Sequence, residues 1–568
     1  MGSTTAIAGN GVSDAEAALL NDAVGAATDF RGRPASRSRT GRWKSASFII
    51  GVEVAERFAY YGISSNLINY LTGPMGQSTA AAAENVNAWN GTATLLPLLG
   101  AFVADSFLGR FRTIVVASVL YVVSLGLLSM SAAFHSSNSS HCKTNANNPV
   151  CSPPSLEVVI FFFSLYLVAV AQGGHKPCVQ AFGADQFDDE DEEELIAKSS
   201  FFNWWYFSMN IGILAALSVL SYIQENLSWG LGFGIPCIFM CFALFVFLLG
   251  STTYRFLLSS DGRNPFLRIG RVFVRAARNR RASPSAVATA EEARGDGADF
   301  KFLYKAILAP PDKNGNVCTA SDVDDAIGIL RLAPIWCTCL GYAVVSSQAS
   351  TFFTKQGATL DRHLTRGFEI PAASLQSLIS VSILAFIPVY DRVIVPITRS
   401  VSKKPAGISM LQRIGVGIFL SLLITAAAAL VEGHRLDIAA EHGLLDKPDE
   451  TVPMSVWWLA LQYLLLGVAD VFTMVGLQEF FYDQVPVELK SIGLALYLSI
   501  FGVGNFLSSF LISIIELITS RAGAGSWFSD NLNRAHLDYF YWLLAGISAV
   551  TLAAYVYSAK CYAYKKKD

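Results

Sequence analysis

The stretch Gly51-Val-Glu53-Val-Ala-Glu56-Arg57-Phe-Ala-Tyr60-Tyr61-Gly62 puts three ionisable residues inside an apolar segment long enough to cross a bilayer. On insertion scales each costs roughly 2.5 to 3.5 kcal/mol at the centre of the hydrocarbon. Such groups persist where a partner neutralises them and a function keeps them. Arg57 lies four residues after Glu53, with Tyr60 and Ser64 farther along the same helical face. On a helix these positions form one polar stripe, which must face protein or a water-filled cavity.

The bulk composition agrees with a chain built for lipid. Of 568 residues, 52% are hydrophobic and only 15% charged, and the mean hydropathy is +0.42. A soluble domain carries about 25% charged residues. The net charge of −2 gives no electrostatic case for nucleic acid as a partner. The nine cysteines form no CxxC pair. Cys178, Cys237, Cys241, Cys337 and Cys339 lie in apolar segments and read as small core residues. Cys142 and Cys151 flank a polar loop and would bridge if that loop faced an oxidising compartment.

Twelve apolar segments recur, each near the ~20 residues that span ~30 Å of hydrocarbon. They cover 46–71, 89–108, 112–134, 156–180, 200–223, 231–251, 326–350, 372–391, 409–431, 455–480, 490–517 and 538–559. The chain therefore divides into a disordered N-terminus (1–44), six spans (45–251), a linker (252–325), six more spans (326–559) and a basic tail (560–568). Phe266 to Val274 in the linker predicts a short amphipathic helix along the lipid surface. The expected fold is an all-α membrane protein of two pseudo-symmetric six-helix bundles.

Basic residues gather on one side: the N-terminal run, Arg110 and Arg112, the linker, Arg392 to Lys404 and the tail. That asymmetry predicts that both termini are cytoplasmic. The acidic run from Asp185 to Glu194 breaks the pattern and reads as a solvated surface. Asn138 and Asn226 then begin sequons on the opposite side. Membrane lipid is the surrounding partner, and the sequence does not fix whether the membrane is plasma or vacuolar.

Charges within the spans are few: Glu53, Glu56, Arg57 and Lys176 in the first half, Asp470 and Glu479 in the second. A structural salt-bridge cluster is one reading. The other is a proton relay. A carboxylate in a low-dielectric interior holds its proton tightly, and a nearby cation reverses this. A glutamate whose cationic partner comes and goes would bind and release a proton. Asp105 with Arg110 would latch a tight turn after span two, and Asp391 with Arg392 would do the same after span eight. A regulatory kinase acting on Ser106 would add charge beside Asp105, although an ordinary loop serine is the simpler reading. No metal triad, nucleophile elbow or phosphate loop stands out, so neither an enzyme nor a cofactor is expected.

Together with the Glu53-x-x-Glu56-Arg57 run, three further motifs are specific. They are Gly173-Gly-His175-Lys176-Pro177 leading to Phe182-Gly-Ala-Asp185-Gln186-Phe187, Phe201-Phe-Asn203-Trp204-Trp205-Tyr206-Phe-Ser-Met-Asn210-Ile-Gly212, and Gln478-Glu479-Phe480-Phe481. On these the chain resembles the plant nitrate/peptide transporter family, a branch of the proton-coupled oligopeptide transporters within the major facilitator superfamily. The resemblance implies a symporter moving a proton with a small anionic or zwitterionic solute by alternating access. It implies that Glu53, Glu56 and Arg57 couple the proton, and that Lys176 pairs with them and meets an anionic group. It places Tyr60 and Asn210 on the central cavity and Asp470 at a span-ten position where the family more often has Glu. Ser64 stands where bacterial peptide-transporting relatives carry an arginine, and Ser346, ahead of Gln348, stands where a nitrate-transporting relative has a histidine. The substrate therefore stays open among nitrate, peptides and specialised metabolites. A solute sensor signalling through the linker is the alternative.

Overall fold

The structure, a computed structural model, describes residues 23–139, 155–188, 190–257, 265–279, 300–307, 317–365, 367–402, 408–485, 489–521 and 525–562. Six long helical segments precede the linker: α1 (Arg42–Ser64), α2 (Thr79–Val103), α3 (Arg110–Ser139), α4 (Ser155–Ala184), α5 (Glu192–Ala215) and α6 (Trp229–Leu249). Six follow it: α7 (Ala333–Ser346), α8 (Ser377–Val389), α9 (Met410–Glu441), α10 (Ala460–Asp483), α11 (Lys490–Arg521) and α12 (Leu537–Cys561). Among the described residues, ten segments are long and apolar enough to cross a membrane. The two that miss this criterion are α1 and α2, whose polar residues face the interior.

Local chemistry explains where the second span begins. Composition put its start at residue 89, but α2 begins at Thr79, where the Ser78 hydroxyl accepts the Ala81 N–H at 3.3 Å. The extra turns carry Asn87, whose amide donates to Ser508 Oγ of α11 at 3.0 Å. A polar residue lowers the hydropathy of a window while serving a helix contact.

The two halves are tied together at the end of the bundle away from the described chain ends. Gln376 Nε2 donates to the Ser65 carbonyl at 2.9 Å, and Ser374 Oγ to the Leu217 carbonyl at 2.6 Å. Thr79 N–H meets Asp530 at 2.7 Å, and Lys355 Nζ reaches Thr72 Oγ1 at 2.8 Å. Arg362 adds an ion pair to Glu225 at 2.9 Å and another to Glu369 at 2.7 Å. It sits beside a small hairpin of β5 (His363–Thr365) and β6 (Phe368–Glu369), whose Phe368 stacks on Tyr222.

At the opposite end two readings of the sequence are corrected. Residues 23–44 are not disordered: β1 (Ala23–Thr28) pairs antiparallel with β2 (Pro34–Ser36) and with β3 (Phe256–Leu257), the strand after α6. The acidic run is a solvated surface only in part: Glu190, Glu192 and Glu193 are exposed, but its last residue turns inward. Glu194 is fully buried, with Arg255 at 2.6 Å and Arg42 at 3.2 Å. The N-terminal basic run folds onto the acidic loop, so each supplies the other's counter-charge. Arg110 also donates to both oxygens of Asp185, at 2.6 and 2.7 Å, a partner the sequence reading had not named. The side chains of Asp105, Ser106 and Asp391 lie outside the described part, and Arg392 is exposed on the π turn Tyr390–Ile394.

A helix stands at Pro265–Arg278 in the linker, and its Ile269, Val272 and Ala276 are buried. The helix meets protein, since Arg268 pairs with Asp325 at 2.7 Å on the helix Ala320–Leu330. Of the cysteines in apolar segments, Cys178 and Cys339 are buried while Cys241 and Cys337 are exposed, so only some serve the core. Cys142 and Cys151 lie outside the described residues.

One ion pair falls beyond the span boundary read from composition, because α9 runs to Glu441 rather than 431. Arg435 meets Glu432 at 2.7 Å, and both are fully buried. Gln356 donates to Glu432 at 2.7 Å, and Arg435 donates to the Leu532 carbonyl at 2.6 Å and Asn533 at 2.8 Å. Removing one member of a buried pair leaves an uncompensated charge. Arg435→Met is therefore expected to destabilise the fold by about 3–5 kcal/mol, seen as a lower thermal midpoint of the purified protein. An unchanged midpoint would contradict the pairing.

Candidate functional site

The site forms where α1 crosses the middle of the first half. Arg57 Nε donates to Glu53 Oε1 at 2.7 Å and lies 3.1 Å from Glu56 Oε2. All three side chains are buried, with at most 5% exposed. The i,i+4 spacing puts Glu53 under Arg57, while Glu56 reaches the same guanidinium from the adjoining position. Two carboxylates thus share one cation.

A glycine makes room for this cluster. A Cβ on Gly212 of α5 would stand 2.7 Å from the Val54 carbonyl and 3.2 Å from Arg57 Cβ. Only a residue without a side chain lets α5 approach α1 at the level of the guanidinium.

The second layer comes from α3 and α4. Tyr121 OH donates to Glu56 Oε1 at 3.3 Å, and its ring lies edge-on to His175, with centroids 6.3 Å apart. His175 is fully buried, and neither ring nitrogen has a hydrogen-bond partner among the described residues. Glu53 Oε2 and Glu56 Oε2 also accept no hydrogen bond there. Lys176 is half-buried and within electrostatic reach of Arg57, Glu56 and Glu53. Among the described residues, no carboxylate oxygen lies within 4.0 Å of its ammonium. The structure thus brings Lys176 near the motif but leaves it outside the direct ion pair.

Tyr60 leads from the cluster to the other half. Its hydroxyl donates to Asn90 Oδ1 at 3.1 Å, and its ring stacks on Trp89 at 5.5 Å. Asn90 in turn donates to Ser350 Oγ at 3.4 Å, just past α7. Asp470 on α10 accepts the Tyr342 hydroxyl of α7 at 2.6 Å and is 8% exposed. Asn210 is buried, and its amide donates to the Tyr206 carbonyl one turn back, at 2.8 Å. Ser346 is the half-buried last residue of α7. Trp205 is buried, whereas Trp204 is exposed on the outer face.

Sequence reasoning missed Asn90, Tyr121, Tyr342 and Ser350. The only signal for the two tyrosines was a polar tip within an apolar span, which a core or interface tyrosine shares. Chemically, the arrangement offers carboxylate oxygens without hydrogen bonds, a nearby lysine, and an acid on the facing half. That set can load a proton and meet a small charged solute.

A family model described as the POT family matches residues 111–528. The Arabidopsis thaliana protein NRT1/PTR FAMILY 5.10 is 64% identical over 95% of this chain and 96% of its own length. NRT1/PTR FAMILY 5.14 of the same plant is 56% identical over 97% and 99%. Among solved structures, an auto-inhibited POT family peptide transporter superposes with a TM-score of 0.70 at 22% identity, covering 92% of this chain and 98% of that one. The POT family transporter PepTSo gives 0.67 at 20%, covering 91% and 98%. These likenesses show a helical membrane transporter fold of the major facilitator type, and a family of transporters rather than enzymes.

The close approach at Gly212 can be tested directly. Gly212→Val should cost about 1–3 kcal/mol by overpacking, read as a lower thermal midpoint. Wild-type stability would show that α5 stands farther from Arg57 than described.

Proposed function

We propose, from the premise that the chain belongs to the POT family of proton-coupled multi-pass membrane transporters, that it carries a small anionic or zwitterionic solute together with a proton by alternating access. The observation that carries this reading is the buried trio, in which Glu53 and Glu56 share Arg57 and each keeps a carboxylate oxygen without a hydrogen bond. A proton arriving on either glutamate removes one negative charge from the trio. Arg57 is then held less tightly and, with Lys176, can face an anionic group of the solute. Asp470, on the opposite half, supplies the acid that a solute amino group or a second polar group would meet. Tyr60, Asn210 and Ser346 are the lining positions assigned to the solute, and Tyr60 already reaches the second half through Asn90 and Ser350.

Alternating access requires one end of the bundle to close while the other opens. The basic N-terminal segment and linker belong on the cytoplasmic side by the positive-inside rule. On that assignment the contacts at Ser65, Leu217, Arg362 and Gln376 seal the outer end. Release of the proton inward restores the trio and resets the transporter.

Two experiments check this reading. Glu56→Gln and Lys176→Ala are each expected to abolish acid-stimulated uptake across a panel of nitrate, dipeptides and plant metabolites in oocytes, with surface expression unchanged. Uptake at wild-type rates would sink the proposal. Separately, Arg362→Gln should weaken the outer seal and raise several-fold the rate at which a membrane-impermeant maleimide labels Ser65→Cys. Equal labelling with and without Arg362 would argue against a closed outer end.

A further inference from the structure

The hairpin of β1 and β2 forms a strap across the inner end of the first half. Its anchor is Arg37, which pairs with Asp188, meets Asp191 at 2.8 Å and lies 3.9 Å from Glu194. Asp191 is held below the usual carboxylate range by the Glu194 backbone N–H, with Arg37 and Arg42 adding to the effect. It therefore stays ionised at neutral pH and available to Arg37. Just beyond the anchor, the Gly41 N–H reaches the Thr253 carbonyl at 2.8 Å and the Arg42 N–H reaches the Gln186 carbonyl at 2.7 Å. Gly41 has a φ of +78°, and a Cβ there would collide with the buried Arg255 side chain, so the chain turns into α1 at a fixed point. The strap therefore sets where the helix bearing Glu53 begins.

One residue beside this anchor is placed to undo it. Ser38 is exposed, stands between Arg37 and Arg39, and has its hydroxyl 3.0 Å from that of Ser36. Arginines on both sides of an exposed serine suit a protein kinase that reads basic residues. We propose that Ser38 is a phosphorylation site and that its phosphate releases the strap. In the reaction Ser38 Oγ forms a bond to the γ-phosphorus of ATP, the bond to the β,γ-bridging oxygen breaks, ADP leaves, and the hydroxyl proton goes to solvent.

The sign of the effect follows from charge. A phosphoserine carries about −1.5 to −2 charges at neutral pH. It would sit next to the single guanidinium that already serves Asp188 and Asp191, with Glu194 close behind. The phosphate competes for Arg37 from the adjacent residue, while the carboxylates that lose Arg37 repel the phosphate. Both effects push the hairpin away from the acidic loop. This inference rests on the cytoplasmic placement of the N-terminus proposed above, so its test is made on detergent-purified full-length protein, where sidedness and transport play no part.

The protein is incubated with ATP and a basic-directed serine/threonine kinase, and phosphopeptide mapping is followed by hydrogen exchange of residues 23–42. The expected result is phosphate on Ser38 and at least tenfold faster exchange of the strap amides. Ser38→Ala should abolish both changes, and Arg37→Gln should give the fast exchange without kinase. Wild-type protein that takes no phosphate on Ser38, or takes it with exchange unchanged, would overturn the proposal. So would slow exchange in Arg37→Gln.

Discussion

The constraint on which the structure depends is that a charge removed from water must be given a partner. Arg57 answers it for Glu53 and Glu56, at 2.7 and 3.1 Å, within a helix that would otherwise resist leaving water. The same rule produces the Glu432–Arg435 pair in the second half and the Glu194–Arg255 pair beside the N-terminal strap. These clusters differ in how completely they are satisfied. Glu432 accepts from Arg435 and Gln356, so both of its oxygens are engaged. Glu53 and Glu56 each keep an oxygen without a hydrogen bond, beside a histidine with two such nitrogens. A fully satisfied network rigidifies, whereas a partly satisfied one retains capacity for a proton or a ligand. That contrast separates the structural pair from the trio proposed to carry the proton.

Packing serves the same trio. The close approach of α5 at Gly212 holds Arg57 from one side, and Tyr121 holds Glu56 from another. The N-terminal strap fixes where α1 starts, and the contacts near Ser65 fix where it ends. The helix that carries the charged groups is thus restrained at both ends by contacts made with different parts of the chain. A change that broke the contacts near Ser65 would leave the strap intact, and a change at the strap would do the reverse.

Much of the architecture was legible in the sequence because hydrophobic length and the bilayer's thickness leave few alternatives. Twelve apolar runs became twelve long helical segments, and the polar stripe Glu53–Arg57–Tyr60 faces protein. Boundaries were less legible. α2 starts ten residues before its hydropathy rises, since Asn87 and its neighbours serve interhelical contacts. The burial of Glu194 was missed because its counter-charges, Arg42 and Arg255, lie far away in the chain, one of them in a segment whose composition suggested disorder.

By itself the sequence determined the class of protein, the apolar runs that become long helical segments and the presence of unusual charge within them. These follow from local properties: side-chain polarity, run length and helical spacing. Only the tertiary structure decided which charges meet. Lys176, expected to pair with the glutamates, stands apart from them, while Tyr121, Tyr342 and Asn90 make contacts that no spacing announced. Arg110 meets Asp185, 75 residues away in the chain. Pairing depends on distance in space, and in a bundle of long helices that distance is set by how the helices pack rather than by their order along the chain.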